Sequence, residues 1–168
     1  MSQHASLHQE IEHLVGVHGD GREALLPILR QVNSSYGYVS GEAMTLIGKA
    51  LNAPRAEIYG VVTFYSFLSA HPRGRYVIRL CRTISCEMQG SRHPVMTALV
   101  EELGVGLGET TADRLFTLEE TNCIGMCDQG PAMLVNEDVH VRLTPDSVRE
   151  ILAGYRRMAV SDGAAKCA

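Results

Sequence analysis

Cysteine carries the chemistry of this sequence, and the five cysteines are placed unevenly. Cys81 and Cys86 form one close pair, Cys123 and Cys127 form a second, and Cys167 stands alone near the end. The opening Met-Ser-Gln-His has neither a basic segment nor an apolar run behind it, so no export signal is expected and a cytoplasmic location is the default. In that setting paired cysteines read as metal ligands or redox groups rather than structural disulfides. Four thiolates suit either one tetrahedral zinc or a two-iron, two-sulfide cluster with two cysteines on each iron. Spacing separates these two poorly. The gap within the Cys123 pair fits the roughly two to four residues of a zinc knuckle, and the gap after Cys81 sits at its long end. A thiol–disulfide enzyme is a third possibility, but no Cys-x-x-Cys occurs.

The iron option makes a demand on its surroundings. Four thiolates and two sulfides outweigh two ferric ions, so such a centre is anionic, and reduction adds one further negative charge. Gly90, Gly125 and Gly130 would let backbone N–H groups come close to the sulfurs. Arg82 and Arg92 are candidates for charge compensation, or else plain surface arginines.

Two kinds of element must position these loops. Up to Pro72 the pattern is helical. Leu7, Ile11, Leu14 and Val15 keep the spacing of one buried face. Asp20 and Glu23 have the pattern of a capping box for a second helix, whose apolar side is Leu25, Leu26, Ile28, Leu29 and Val32 and in which Pro27 must kink the chain or mark a later start. Ser40 is the expected N-cap of a third helix burying Met44, Ile47 and Leu51. Pro54 fits the first turn of a fourth, with Ile58, Val61, Val62 and Tyr65 at helical spacing. Residues 1–72 therefore read as a small helical bundle.

After the turn-rich His71-Pro72-Arg73-Gly74 the pattern becomes α/β. Tyr76–Leu80 reads as a strand running straight into Cys81, and a helix is expected from Pro94 to Gly104. Leu115–Leu118 reads as a second strand delivering the chain to Cys123. Ala132–Val135 and Val139–Leu143 read as a hairpin across Asn136-Glu137-Asp138. Thr144 caps a last helix that starts at Pro145 and buries Val148, Ile151, Leu152 and Tyr155. Residues 73–158 form this second domain, and 159–168 read as a flexible tail. If the two cysteine-bearing strands are neighbours, both loops leave the same edge of the sheet and the four thiolates can converge.

The 168 residues are 45% apolar and 20% charged, with 15 basic and 19 acidic side chains and a net charge of -4. That is an ordinary globular composition. The charge is spread evenly on either side of Pro72, so no basic patch suggests nucleic-acid binding. The longest stretch without charged residues, Ile58 to Pro72, is shorter than the ~20 residues that span a bilayer, so no membrane insertion is expected.

Three segments together resemble a known family: Asn122-Cys123-Ile124-Gly125-Met126-Cys127-Asp128-Gln129-Gly130-Pro131-Ala132-Met133, the upstream Cys81-x4-Cys86, and Gly60-Val61-Val62-Thr63-Phe64-Tyr65-Ser66. They are similar to the thioredoxin-like 2Fe-2S ferredoxin subunit of NADH dehydrogenases, a subunit type shared by respiratory complex I, NAD(P)-linked hydrogenases, formate dehydrogenases and electron-bifurcating assemblies. The resemblance covers about residues 8 to 157. It implies a helical bundle followed by a thioredoxin-like domain, and a 2Fe-2S cluster held by Cys81, Cys86, Cys123 and Cys127. It also implies an electron relay rather than a free-standing enzyme. The partner would be a flavoprotein subunit that holds FMN and handles NAD(P), alongside further iron–sulfur subunits. No Gly-x-Gly-x-x-Gly run suggests that this chain binds the nicotinamide itself. The alternative is a zinc-stapled docking module with the same four ligands and no redox role.

Other candidates are expected to be bland. His4, His8 and His13 read as a solvated helix, and His93 as a bystander rather than a Rieske-type ligand. Phe64, Tyr65, Phe67 and Leu68 read as core, with an exposed docking ridge as the alternative, and Asp128 as a loop cap or a modulator of the cluster. Pro131 is expected to be an ordinary trans turn proline rather than the cis proline of a thioredoxin-like fold. Cys167 is expected not to be a ligand.

Overall fold

A computed structural model of the chain describes residues 2–89 and 92–165. The chain divides into two units, Met1–Pro72 and Arg73–Ala168.

The first unit is helical: α1 Ser2–His18, α2 Leu25–Tyr36, α3 Gly41–Ala50 and α4 Arg55–Phe64. Its core comes from one stripe of each helix: Ile11 on α1, Ile28, Leu29 and Val32 on α2, Met44 and Ile47 on α3, and Ile58 and Val62 on α4, all buried. Ser40 caps α3 as expected, its Oγ accepting from the Ala43 amide at 3.1 Å. The start of α2 differs from expectation. No capping box forms; a short 3-10 turn, Arg22–Ala24, precedes the helix. Pro27 is the reason, because it is tolerated only in a first turn, where the missing N–H has no intrahelical acceptor. Pro54 lies just outside α4, as its N-cap residue.

The second unit runs β1 Tyr76–Cys81, α5 Ile84–Met88, α6 Arg92–Leu103, β2 Phe116–Thr121, β3 Met133–Val135, β4 Asp138–His140 and α7 Pro145–Ala165. The four strands make one sheet in the order β2-β1-β3-β4. β1 and β2 are parallel, with Cys81 opposite Thr121, while β3 is antiparallel to both of its neighbours. Strand periodicity sends Tyr76, Ile78 and Leu80 to one face, where they pack with Phe116, Leu118, Met133 and Val135 against Val95 and Leu99 of α6 and Val148 and Leu152 of α7. Cys81 points to the opposite face.

Several boundaries depart from the sequence reading. The helix α5 was not expected. The hairpin turn is tighter, with Val135 opposite Asp138 and Asn136 left-handed at φ 56°. β4 ends at His140 rather than continuing to Leu143. The Arg142 and Leu143 amides turn away to the carbonyls of Gln129 (2.8 Å) and Pro131 (3.1 Å), and Arg142 takes a positive φ of 51°. The Gly130–Pro131 peptide is cis, correcting the trans expectation. α7 continues through residues 159–165, assigned above to the tail, since nothing stops a helix before Gly163 and one glycine costs only about 1 kcal/mol. The His4 side chain, Gly90 and Cys167 lie outside the described residues.

Candidate metal centre

The register of β1 and β2 builds the site. Because the strands are parallel neighbours, the chain leaves both at the same end, and Cys81, the last residue of β1, faces Thr121, two residues before Cys123. The carboxyl ends of parallel strands are where α/β sheets place their ligand sites. The Arg82 amide donates to the Thr121 carbonyl at 2.9 Å and the Cys81 amide to the Ala132 carbonyl at 3.0 Å. The first loop is thus stitched to the segments on both sides of it.

Each loop has its own device. After Cys81 the chain turns into α5, whose start is marked by the Cys86 and Glu87 amides donating to the Thr83 carbonyl at 3.0 and 3.1 Å. That brings Cys86 back toward Cys81, and both are buried, each 1% exposed. The second loop turns at Gly125, whose φ of +86° suits glycine. This aims its amide at Cys123 Sγ, 3.4 Å away. Cys123 and Cys127 are both exposed, with their sulfurs 3.2 Å apart. Asp128 follows on an exposed 3-10 turn, Cys127–Gln129.

Two side chains tie the two loops to each other, and a third, Arg92, ties the first loop to β2. Gln89 Nε2 donates to the Cys127 carbonyl at 2.9 Å, and Arg82 Nε donates to Asn122 Oδ1 at 3.3 Å. Arg92 Nε donates to the Cys81 carbonyl at 2.9 Å, while its guanidinium also pairs with Glu87 at 3.1 Å and with Glu120. Arg92 is therefore a brace whose charge is met by carboxylates, not a counter-charge aimed at the sulfurs. His93 is exposed.

The thiols feel one another. Burial pushes the Cys81 thiol up, but hydrogen bonds from the Thr83 hydroxyl and amide, the Cys86 thiol and the Ile124 amide outweigh it and hold Cys81 below the usual thiol range. Burial raises Cys86, as do the bond and the charge of Cys81. Cys127 is raised by its bond to Cys123 and that neighbour's charge, with a smaller push from Cys86 across the gap between the pairs. Among the described residues no three His, Cys, Asp or Glu side chains surround one point where a single ion would sit. The described thiols come as two pairs, Cys81 beside Cys86 and Cys123 beside Cys127, an inventory that either a two-iron cluster or one tetrahedral zinc could use.

Thr83, Gln89 and the short helix α5 escaped the sequence reading. A threonine two residues after a candidate ligand, at a helix start, is a signal that could have found the first of them.

Phe64 is 79% and Phe67 44% exposed, so these two are not the core residues expected; Leu68, at 3%, is. Phe64 meets the Tyr65 ring edge to face and Phe67 lies tilted against it, with ring centres 5.0 and 5.2 Å away.

The protein-family model described as thioredoxin-like 2Fe-2S ferredoxin matches residues 11–156. An NADH-quinone oxidoreductase subunit of Pseudomonas aeruginosa is 38% identical over 145 residues, covering 86% of this chain and 87% of that protein. Its namesake in Escherichia coli K12 is 38% identical over 152 residues, covering 90% of this chain and 91% of that protein. Among solved structures, an NAD+-reducing NiFe hydrogenase in the air-oxidised state superposes with a TM-score of 0.67 at 23% identity over 77% of this chain, which spans 23% of the hydrogenase chain. That likeness concerns the fold alone. With a family model running through nearly the whole chain and relatives of similar length at this identity, the chain belongs to the thioredoxin-like 2Fe-2S ferredoxin family, whose cofactor is a two-iron, two-sulfide cluster.

Proposed function

We propose that this chain is the electron-relay subunit of an NAD(P)H-linked oxidoreductase complex, holding its cluster on Cys81, Cys86, Cys123 and Cys127. Its electrons would be exchanged one at a time with the FMN of a partner flavoprotein subunit that handles the nicotinamide, within a complex I-like, hydrogenase, formate dehydrogenase or bifurcating assembly. The observation that carries this is the parallel pairing of β1 with β2, which delivers both cysteine loops to one end of the sheet. The likeness to proteins named as NADH-quinone oxidoreductase subunits supports this reading of the assembly. Among the described residues no helix is long and apolar enough to cross a membrane. The proposed setting is the cytoplasm, with the subunit docked on partner chains.

The bound cluster supplies a one-electron couple. The residues of this chain anchor and shield it. Cys81 and Cys86 are buried and fix one side. Cys123 and Cys127 lie at the surface, where an electron from a docked donor has little protein to cross. The Gly125 amide is a backbone donor to Cys123, Gln89 ties the two loops together and Arg92 ties the first of them to β2.

The test is iron, acid-labile sulfide and EPR analysis of anaerobically purified protein, with each cysteine changed to serine in turn. About two irons and two sulfides per chain are expected, with loss or marked alteration of the signal in Cys81→Ser, Cys86→Ser, Cys123→Ser and Cys127→Ser, and no change in Cys167→Ser. A colourless protein with one zinc would instead establish the docking module.

A further inference from the structure

Thr83 occupies the residue before α5, with an extended backbone at φ -74° and ψ 154°. A threonine there ordinarily turns its hydroxyl onto a free amide of the first turn. This one makes no such cap bond. Its Oγ1 lies 3.1 Å from Cys81 Sγ instead. We propose that Thr83 is a positioning residue that donates its hydroxyl hydrogen to the Cys81 sulfur of the bound cluster and thereby raises the reduction potential of this subunit. The proposal rests on the reading that Cys81 is a ligand.

Several observations point the same way. Once Cys81 binds iron as a thiolate it can only accept, so the ambiguity of a thiol facing a hydroxyl is resolved with Thr83 as donor. Cys81 is 1% exposed, so water competes little for its sulfur, and a hydrogen bond in such a setting is electrostatically strong. The Thr83 carbonyl is already engaged by the Cys86 and Glu87 amides, which holds the residue in place while leaving its hydroxyl uncommitted to the helix.

The direction follows from charge. One electron from an external donor enters the cluster; no covalent bond forms or breaks, and the proton stays on Oγ1. The reduced cluster carries one more negative charge, shared with its sulfurs, so a donor to sulfur stabilises the reduced state more than the oxidised one. Removing the donor therefore lowers the potential.

The experiment uses the full-length, cluster-loaded protein and its Thr83→Val, Thr83→Ala and Thr83→Ser variants. Thr97→Val is the control, because among the described residues Thr97 bonds its own helix, at the His93 carbonyl. Iron and sulfide are quantified, and the cluster is titrated with dithionite under EPR. Loaded Thr83→Val and Thr83→Ala are expected to show a severalfold to tenfold smaller reduced-to-oxidised ratio at a given ambient potential, tenfold being about 59 mV for a one-electron couple. Thr83→Ser and Thr97→Val are expected to stay within about twofold of wild type, roughly a third of that shift. Wild-type potentials in loaded Thr83→Val or Thr83→Ala would overturn the proposal. So would failure of both to load while Thr83→Ser loads, which would assign the hydroxyl to assembly, and so would failure of Thr83→Ser to restore loading and potential. A Cys81→Ser protein with full iron and an unchanged EPR signal would show instead that the ligand assignment is at fault.

Discussion

Arg92 offers a direct test of how the cysteine loops are held. It opens α6, is 13% exposed, and forks to three acceptors: the Cys81 carbonyl, Glu120 and Glu87. The bond to the Cys81 carbonyl has a charged donor and contributes about 1.5 kcal/mol. Glu120 is 27% exposed, so losing its partner costs less than the several kcal/mol of a fully buried pair, about 1 to 2 kcal/mol. Glu87 is 53% exposed and adds less than about 0.5 kcal/mol. Arg92→Met keeps the length of the side chain and removes all three, for a loss of roughly 3 kcal/mol. Arg92→Lys keeps the charge but not the fork, for a loss of about half as much. Hydrogen exchange of the β1 and β2 amides in the full-length protein reads this directly. Exchange in Arg92→Met should quicken roughly a hundredfold, at about 1.4 kcal/mol per tenfold. The cluster should also be lost to chelators faster. A change below about threefold in Arg92→Met, or wild-type protection in Arg92→Lys, would refute the brace.

Two further predictions concern the same unit. The Tyr155 hydroxyl donates to Asp138 Oδ2 at 2.8 Å and lies 3.1 Å from His140 Nε2, and burial, then the bond to Asp138, pushes its pKa up to about 12. A phenol raised in the folded state contributes stability that is full below its ordinary value near 10 and is lost as pH rises through about 12. Urea unfolding should show a fall of at most about 2 to 3 kcal/mol across that window in the wild type, and Tyr155→Phe should lack that component; equal slopes would dismiss it. Gly74→Ala should be severe, because a Cβ there would lie 2.7 Å from the Phe116 carbonyl carbon and 2.8 Å from its amide nitrogen, and backbone at the start of β2 cannot step aside. A loss of more than about 2 kcal/mol is expected from thermal unfolding, and a wild-type midpoint would contradict the close approach.

Much of the candidate site was legible in the chain. Two close cysteine pairs set a donor inventory that only metals or redox chemistry use economically, and thiolate chemistry depends on side-chain identity rather than on fold. The buried stripes Ile28, Leu29 and Val32 or Met44 and Ile47 follow from helical periodicity, which is local. So do the Ser40 cap and the run of Tyr76–Leu80 into Cys81.

What the chain could not express locally is decided by partners distant in sequence. The placement of β2 beside β1 comes from pairing across the whole α6 crossover, and with it the exit of both cysteine loops at one end of the sheet. The early end of β4 is set by the carbonyls of Gln129 and Pro131, and the exposure of Phe64 by which face of α4 its unit buries. The contrast between a buried Cys81 pair and an exposed Cys123 pair likewise belongs to the sheet and not to either motif. Local sequence determined the thiols on offer; burial and strand pairing, which are sums over distant contacts, decided their geometry and the donors that surround them.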